Sequence, residues 1–194
     1  EMMRLRLVSG LKVDSRVPFE KVWQRVCVSH FHGTETSTFM IDCSLMRPRN
    51  FLKLFSYSCG FANNFSRPTI GEEDIDKAFR AYSQDLLIEL GHELRYIFPD
   101  ADDLLYYFLD AKNAMSPEDI RELLVRARID EADCDAVIEF LFYYGVIGLR
   151  VGGNDKYIFN VNYDPKVLQI RAELAGNDAQ YVVNPAFCPA LGIA

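Results

Sequence analysis

A long amphipathic segment, from Glu72 to about Ile97, constrains the fold of this chain more than any other feature. Its apolar residues recur at spacings of three and four, which predicts one helix with a single buried face. These residues are Ile75, Phe79, Tyr82, Leu86, Leu90 and Leu94. Pro99 ends the pattern, because proline lacks the N–H that a helix needs and restricts the residue before it. We therefore expect a connecting helix with a domain boundary directly after residue 97.

The residues before this helix predict a small helical bundle. Apolar residues recur at helical spacing over residues 2–11 and 18–28, which indicates two short helices. A loop around Gly33 separates them from a further helix through residues 39–41. Residues 1–97 are therefore expected to form one helical domain.

The segment around Pro48 predicts a helix that begins with two arginines. Proline suits the first helical position, since its missing N–H would have no partner within the helix. One face then packs through apolar residues at helical spacing: Phe51, Leu52, Leu54, Phe55 and Ala62. Arg47 and Arg49 lie at the N-terminus, where a cation opposes the helix dipole at a cost of about a few tenths of a kcal/mol. That placement is better tolerated if a nucleotide phosphate or a carboxylate contacts the guanidinium group.

Residues 98–163 predict three helices followed by one β-hairpin, the order found in a winged-helix domain. Ser116 and Asp119 flank Pro117 in a pattern typical of a capping box, and Gly145 suits a helix end. The helices are expected over residues 104–109, 117–127 and 131–144. The strands are expected over residues 147–151 and 156–160, joined by the glycine-rich turn 152–155.

Residues 164–194 predict a helix that begins at Pro165, followed by an extended tail over residues 181–194 that is rich in proline and small apolar residues. The predicted fold class is therefore mainly α. It consists of a helical bundle, a winged-helix-like domain with one β-hairpin, and a C-terminal helix with its tail.

The helix that begins at Pro48 resembles the lid subdomain of AAA+ and STAND-type P-loop ATPases. In those lids a Pro-Arg pair opens the helix that carries the "sensor 2" arginine. They continue with a small residue, an Ile, an acidic helix start and an Ala, and this chain has that order in Ala62, Ile70, Glu72-Glu73-Asp74-Ile75 and Ala78. Phe19 to Val26 and Tyr143 to Gly148 extend the resemblance over nearly the whole chain. It is similar to the C-terminal half of a bacterial STAND/AAA+-related P-loop ATPase family.

The resemblance implies a regulatory region that couples nucleotide state to a rearrangement of domains or partners. Arg49, with Arg47 as the second candidate, would contact the γ-phosphate of ATP bound with Mg²⁺ by a preceding P-loop domain of the same chain. The 194-residue sequence contains no Gly-x-x-x-x-Gly-Lys-Ser/Thr loop, so we expect no cofactor and no enzymatic activity in this region alone. Residues 104–110 resemble a Walker B strand, but the flanking Asp102-Asp103 and Lys112 favour a buried helix.

A winged-helix transcription factor is the first alternative. Its third helix would enter the major groove of DNA. Residues 131–144 offer no Lys, Arg, Asn or Gln to read a base edge, and their charged residues are all acidic: Glu131, Asp133, Asp135 and Glu139. Nucleic acid is therefore not the expected partner.

A freestanding protein-interaction scaffold with no nucleotide partner is the second alternative. As a separate observation, the second helix predicted within residues 98–163 carries Arg121, Arg126 and Arg128, which could contact an acidic partner or a nucleotide. A solvated helix face is the simpler interpretation of this basic set.

Composition limits the class of protein. Hydrophobic residues make up 49% and charged residues 25%, and no apolar stretch reaches the length of a membrane span. The first residues lack the apolar core of a signal peptide and resemble sequence from the middle of a protein. Five widely spread cysteines favour reduced core thiols over a disulfide framework. We expect a cytoplasmic region of a larger protein.

Two further residue sets have simple structural interpretations. Cys27, His30, His32 and Cys43 have the residue types of a zinc site, but their spacing favours buried thiols and surface histidines.

The aromatic residues of two predicted helices lack interleaved Lys or Arg, so they indicate core packing and contacts in a homo-oligomer rather than base stacking. They are Tyr106, Tyr107, Phe108, Phe140, Phe142, Tyr143 and Tyr144.

Overall fold

A computed structural model describes residues 2–101 and 103–193. The protein is mainly helical with a few small antiparallel strands, which confirms the predicted fold class. Contacts divide the chain into two compact units, Glu1–Tyr82 and Ser83–Ala194. Within the described residues, no helix is both long enough and apolar enough to cross a membrane.

The first unit is built from four helices and the start of a fifth. They are α1 (Met2–Leu11), α2 (Phe19–Trp23), α3 (Thr36–Asp42), α4 (Pro48–Asn64) and α5 (Glu72–Ile97). Two short antiparallel strands, β1 (His30–Phe31) and β2 (Thr34–Glu35), flank the turn at Gly33. The predicted bounds of α1, the start of α4 at Pro48 and both ends of α5 are confirmed.

The helix predicted over residues 18–28 is wrong in its second half. α2 ends at Trp23, and the chain then turns into an extended segment. The Val28 N–H donates to the Ile70 carbonyl at 3.0 Å, and the Ile70 N–H donates to the Val26 carbonyl at 2.8 Å. This non-local pairing satisfies backbone groups that a longer helix would have paired internally.

The core of the first unit is formed by side chains of α2, α3, α4 and α5. Fully buried side chains include Trp23, Met40, Leu54, Ile75, Ala78 and Tyr82. The Trp23 ring lies 5.4 Å from Phe19, 6.4 Å from Phe51 and 5.4 Å from Phe55 between centroids, so one tryptophan joins α2 to α4. Phe51, Leu54 and Ala62 are buried as predicted, whereas Leu52 and Phe55 are only half-buried.

The second unit contains the rest of α5 and four further helices. They are α6 (Pro117–Arg126), α7 (Cys134–Tyr144), α8 (Pro165–Ala175) and α9 (Cys188–Leu191). The predicted capping box is confirmed at α6, where the Ser116 hydroxyl accepts from the Asp119 N–H and the Asp119 carboxylate accepts from the Ser116 N–H, both at 3.0 Å. Gly145 ends α7 in a left-handed conformation, also as predicted.

The helix expected over residues 104–109 is a short 3₁₀ helix, Leu104–Phe108. Leu104, Leu105 and Phe108 are buried, in agreement with a buried helix rather than a Walker B strand. Asp102, the first residue of its predicted charged start, lies outside the described residues.

A four-stranded antiparallel sheet lies in the second unit. Its strands are β3 (Ala114–Met115), β4 (Ile147–Val151), β5 (Asn154–Lys156) and β6 (Gln180–Val183). Their order across the sheet is β3-β6-β4-β5. Gly152 and Gly153 form the two-residue hairpin turn between β4 and β5, with φ of 61° and 82°, and two successive positive φ values suit a type I′ turn.

Two predictions about the end of the chain are wrong. The second hairpin strand stops at Lys156, because the Tyr157 N–H donates to the Asn160 side chain at 2.8 Å and residues 158–161 form a 3₁₀ helix. The extended tail is instead an inner strand, β6, followed by α9. β6 pairs with both β3 and β4, and Val182 and Val183 are buried.

The predicted division into residues 1–97, 98–163 and 164–194 stays a prediction. α5 ends at Ile97, where that boundary was expected, whereas the division between the two compact units falls within α5, between Tyr82 and Ser83.

Candidate functional site

Arg47 and Arg49 lie at the N-terminus of α4, as the sequence predicts. Arg47 occupies the N-cap position with extended backbone, and Pro48 occupies the first helical position. Arg49 is exposed in the first turn and Arg47 is half-buried. Within the described residues, neither guanidinium group has a hydrogen-bond or ion-pair partner. The helix therefore presents two cations whose charge no nearby carboxylate neutralises.

The turn that precedes α4 is strained. Leu45 and Met46 both have left-handed backbone, with φ of 55° and 54°. Such conformations disfavour side chains that carry a Cβ and cost roughly 1–2 kcal/mol per residue. They persist only where surrounding structure fixes them, and they cluster at functional sites. No glycine or asparagine marks this turn, so the sequence gives no signal for it.

Hydrogen bonds from buried groups hold this turn in place. The Tyr82 hydroxyl donates to the Cys43 carbonyl at 3.0 Å, in the core of the first unit. The Ser44 hydroxyl donates to the Ile41 carbonyl at 2.6 Å, and the Arg47 N–H donates to the Ser44 carbonyl at 3.0 Å. The position of Arg47 is therefore fixed by α5 through the backbone of the turn.

An apolar groove of about 430 Å³ adjoins Arg47. It is lined by Met2, Met3, Phe19, Ile41, Met46, Pro48 and Phe51, with Ser44 and Arg47 as its polar members. Met2, Ile41 and Met46 are 40–43% exposed. Methionine side chains adapt to ligands of different shape, so this surface is suited to an apolar group with a negative charge beside it.

The acidic start of α5, which contributes to the resemblance to ATPase lids, has a local structural role. Asp74 is fully buried, and its carboxylate accepts from Arg67 at 2.7 Å and from the Gly71 N–H at 2.9 Å. Glu73 contacts Lys77 at 2.7 Å and Arg67 at 2.5 Å, and these two cations lower the pKa of its carboxyl to about 2. These acidic residues fix the loop after α4 to the start of α5 and are not free to bind a ligand.

Charge is distributed unevenly between the two units. Residues 1–82 carry 12 Lys and Arg against 9 Asp and Glu, whereas residues 83–194 carry 9 against 19. The unit that contains Arg49 is therefore net basic, with +3, while the other unit has −10. Net charge therefore favours an anionic ligand at the first unit and disfavours one at the second unit.

The residue types of a zinc site do not form one in the described part of the chain. Cys27 and Cys43 are buried, and burial raises the pKa of the Cys27 thiol to about 12. His30 and His32 are exposed, and the His32 ring stacks on Phe31. Across residues 2–101 and 103–193, no cluster of three His, Cys, Asp or Glu is placed to hold a metal ion.

The structure shows where the basic residues of α6 and the predicted aromatic residues of the second unit lie. Arg121 of α6 pairs with Asp135 of α7, so one member of the basic set is neutralised. Phe108, Phe140 and Phe142 belong to the core, whereas Tyr106, Tyr107 and Tyr143 are 38–51% exposed. Contact between copies of the chain through these tyrosines stays a prediction.

Sequence reasoning missed one buried polar group. Trp23 is 1% exposed, and its indole N–H has no hydrogen-bond acceptor among the described residues. The apolar spacing of residues 18–28 predicts a buried tryptophan but cannot show whether an acceptor lies nearby. Such a group destabilises the fold unless water or a partner satisfies it.

Comparison with known families gives a match in the N-terminal part of the chain. Residues 1–91 match the FunZ-associated C-terminal helical domain. The matched segment covers all of the first unit and the following part of α5. The family's description places such a domain at the C-terminal end of a larger protein and names no ATPase. No curated protein and no solved structure shows detectable similarity to this chain.

Proposed function

We propose that this chain is the regulatory C-terminal region of a P-loop ATPase related to the STAND and AAA+ proteins. It couples the nucleotide state of a preceding domain to a rearrangement of domains or partners. Arg49 contacts the γ-phosphate of ATP, Arg47 is the second candidate, and the nucleotide and its Mg²⁺ are held by the preceding P-loop domain in the cytoplasm. The region has no catalytic activity of its own.

The exposed, unpartnered Arg49 carries this proposal. A guanidinium group at a helix N-terminus opposes the helix dipole, and a carboxylate of the same unit would be the usual compensation. The described residues supply none, whereas Arg67, which follows the C-terminal end of α4, has two. An arginine in a net-basic unit, fixed on a rigid helix, is suited to a phosphate that arrives from another domain.

The match to a C-terminal helical domain supports the same arrangement. Such a domain accompanies other domains, and a lid-like domain acts only together with a nucleotide-binding one. The packed helix α4, which begins at Pro48, also gives Arg49 a defined position, and positioning of a transferred phosphate requires one.

Replacement of Arg49 in the natural full-length protein tests the proposal. We expect Arg49→Ala to lower ATP turnover on the order of 10²-fold, the loss typical of one charge-stabilising donor. Arg25→Ala is the matched control, because Arg25 is an exposed arginine of the same unit that lines neither the groove nor the start of α4. Equal turnover for both variants, or a full-length protein without ATPase activity, contradicts the proposal.

The groove beside Arg47 favours a second candidate function, a protein-interaction scaffold. Its exposed methionines and single cation suit an apolar segment of a partner that carries a carboxylate. A full-length protein that binds a partner through this groove without any nucleotide would favour this alternative.

A further inference from the structure

The second unit contains a polar cleft that the proposed function does not use. Its volume is about 400 Å³, within the range of roughly 300–1,000 Å³ that is typical of small-molecule sites. α6, α7, α8 and β6 each contribute to its lining. The side chains that carry the argument are Arg121, Asp135, Glu173, Asn177 and Tyr181.

Tyr181 provides a hydroxyl group that has no partner within the described residues. Its side chain is 8% exposed, and its ring packs against Phe142 with 5.6 Å between centroids. Tyr181 is one of the residues that line the cleft. Burial raises the pKa of this phenol, which therefore stays neutral and can both donate and accept a hydrogen bond.

The charges around the cleft favour a cation. Arg121 and Asp135 form an ion pair and largely neutralise each other. Glu173 has no ion-pair partner among the described residues, which leaves one uncompensated negative charge. α8 ends at Ala175, two residues beyond Glu173, and the C-terminal end of a helix carries partial negative charge. The excess of acidic residues in this unit acts in the same direction.

We propose that this cleft binds a small organic cation, an ammonium or guanidinium group, with Glu173 as its counter-ion and with Tyr181 and Asn177 as hydrogen-bond partners. The group belongs either to a free amine or to a Lys or Arg side chain of a protein partner. This site is independent of Arg49 and of any nucleotide.

Calorimetric titration of the 194-residue chain with agmatine and spermidine tests the proposal. Charge-assisted hydrogen bonds contribute enough that Glu173→Gln should weaken binding by about tenfold to a hundredfold. Tyr181→Phe keeps the ring packed on Phe142 and should weaken binding by about fivefold. Glu122→Gln removes the same charge from the exposed face of α6 outside the cleft, and its affinity should stay within about twofold of the wild type.

Two results would overturn the proposal. One is the absence of binding of either amine by the wild-type chain at millimolar concentration. The other is equal weakening by Glu122→Gln and Glu173→Gln, which would show attraction by the whole unit rather than a site. A capped arginyl peptide that binds more tightly than agmatine identifies a partner's side chain as the source, and the reverse identifies a free amine. Both of these outcomes support the site, provided that Glu173→Gln weakens the tighter interaction by about tenfold or more.

Discussion

Met46 has left-handed backbone in the turn that leads to Arg47, with φ of 54°, and its side chain is 43% exposed. Glycine adopts this conformation without the penalty that a Cβ imposes. We therefore expect Met46→Gly to be more stable than Met46→Ala by about 1 kcal/mol. Denaturant unfolding of the two variants measures this difference, because both lose the methionine side chain and only one removes the strain.

If Met46→Ala proves equally stable or more stable, the left-handed backbone of this turn carries no such strain. A measured penalty for Met46→Ala would also bear on function, because strain of this kind is retained where it positions functional residues, here Arg47 and the start of α4.

Glu73 gives a prediction about pH. Lys77 and Arg67 lower the pKa of its carboxyl to about 2 in the folded protein, from an ordinary value of 4.5. A lowered folded-state pKa contributes stability that is fully present above the unfolded-state value and is lost as the pH falls through the folded-state value. As the pH falls from about 4.5 to 2, the free energy of unfolding should therefore decrease less in Glu73→Gln than in the wild type. Identical pH dependence of the two proteins would show that this ion pair does not contribute.

At the scale of the element, β4 depends on a glycine. A Cβ added at Gly148 would lie 2.5 Å from the Tyr157 ring and 2.8 Å from the Lys156 carbonyl oxygen, so the β4–β5 hairpin would have to shift. We expect Gly148→Ala to destabilise the protein by about 1–3 kcal/mol, as overpacking does. Thermal unfolding measures the change.

Gly10 in α1 provides the matched comparison. A Cβ there meets no atom within 4 Å, and alanine is favoured over glycine in a helix by roughly 0.5–1 kcal/mol. Gly10→Ala should therefore stabilise the protein. Destabilisation by both substitutions to the same extent would contradict the close approach at Gly148.

Elements with local signals could be predicted from the sequence, and elements that depend on distant partners could not. Pro48, Ser116 and Gly145 mark helix ends through the chemistry of their own backbone and side chains, and the structure confirms all three. β6 has no such signal. Its apolar residues are too few for a visible period, and it becomes a strand because β3 and β4 lie on either side of it.

The candidate site shows the same limit. The position of Arg49 follows from Pro48 alone. The strained turn at Leu45 and Met46 does not, because left-handed leucine and methionine require support from Tyr82, which lies far along the chain. The cleft around Tyr181 is also assembled from four separate elements, so no motif in the sequence indicates it.

At the scale of the whole molecule, the first unit matches a known C-terminal helical domain and carries the net positive charge, while the second unit is strongly acidic. This distribution is consistent with a region in which only one unit contacts a nucleotide. It also disfavours DNA as a partner of the second unit, since DNA binding depends on clustered Lys and Arg.

The most direct test of the central claim is the affinity of the natural full-length protein for a non-hydrolysable ATP analogue and for ADP, measured by calorimetry with and without Arg49→Ala. An arginine that contacts the γ-phosphate forms a charge-assisted bond that ADP lacks. We predict that the substitution weakens binding of the ATP analogue by about tenfold or more and leaves the affinity for ADP within about twofold of the wild-type value. Equal affinities before and after substitution, or equal losses for both nucleotides, would contradict the assignment of Arg49 to the γ-phosphate.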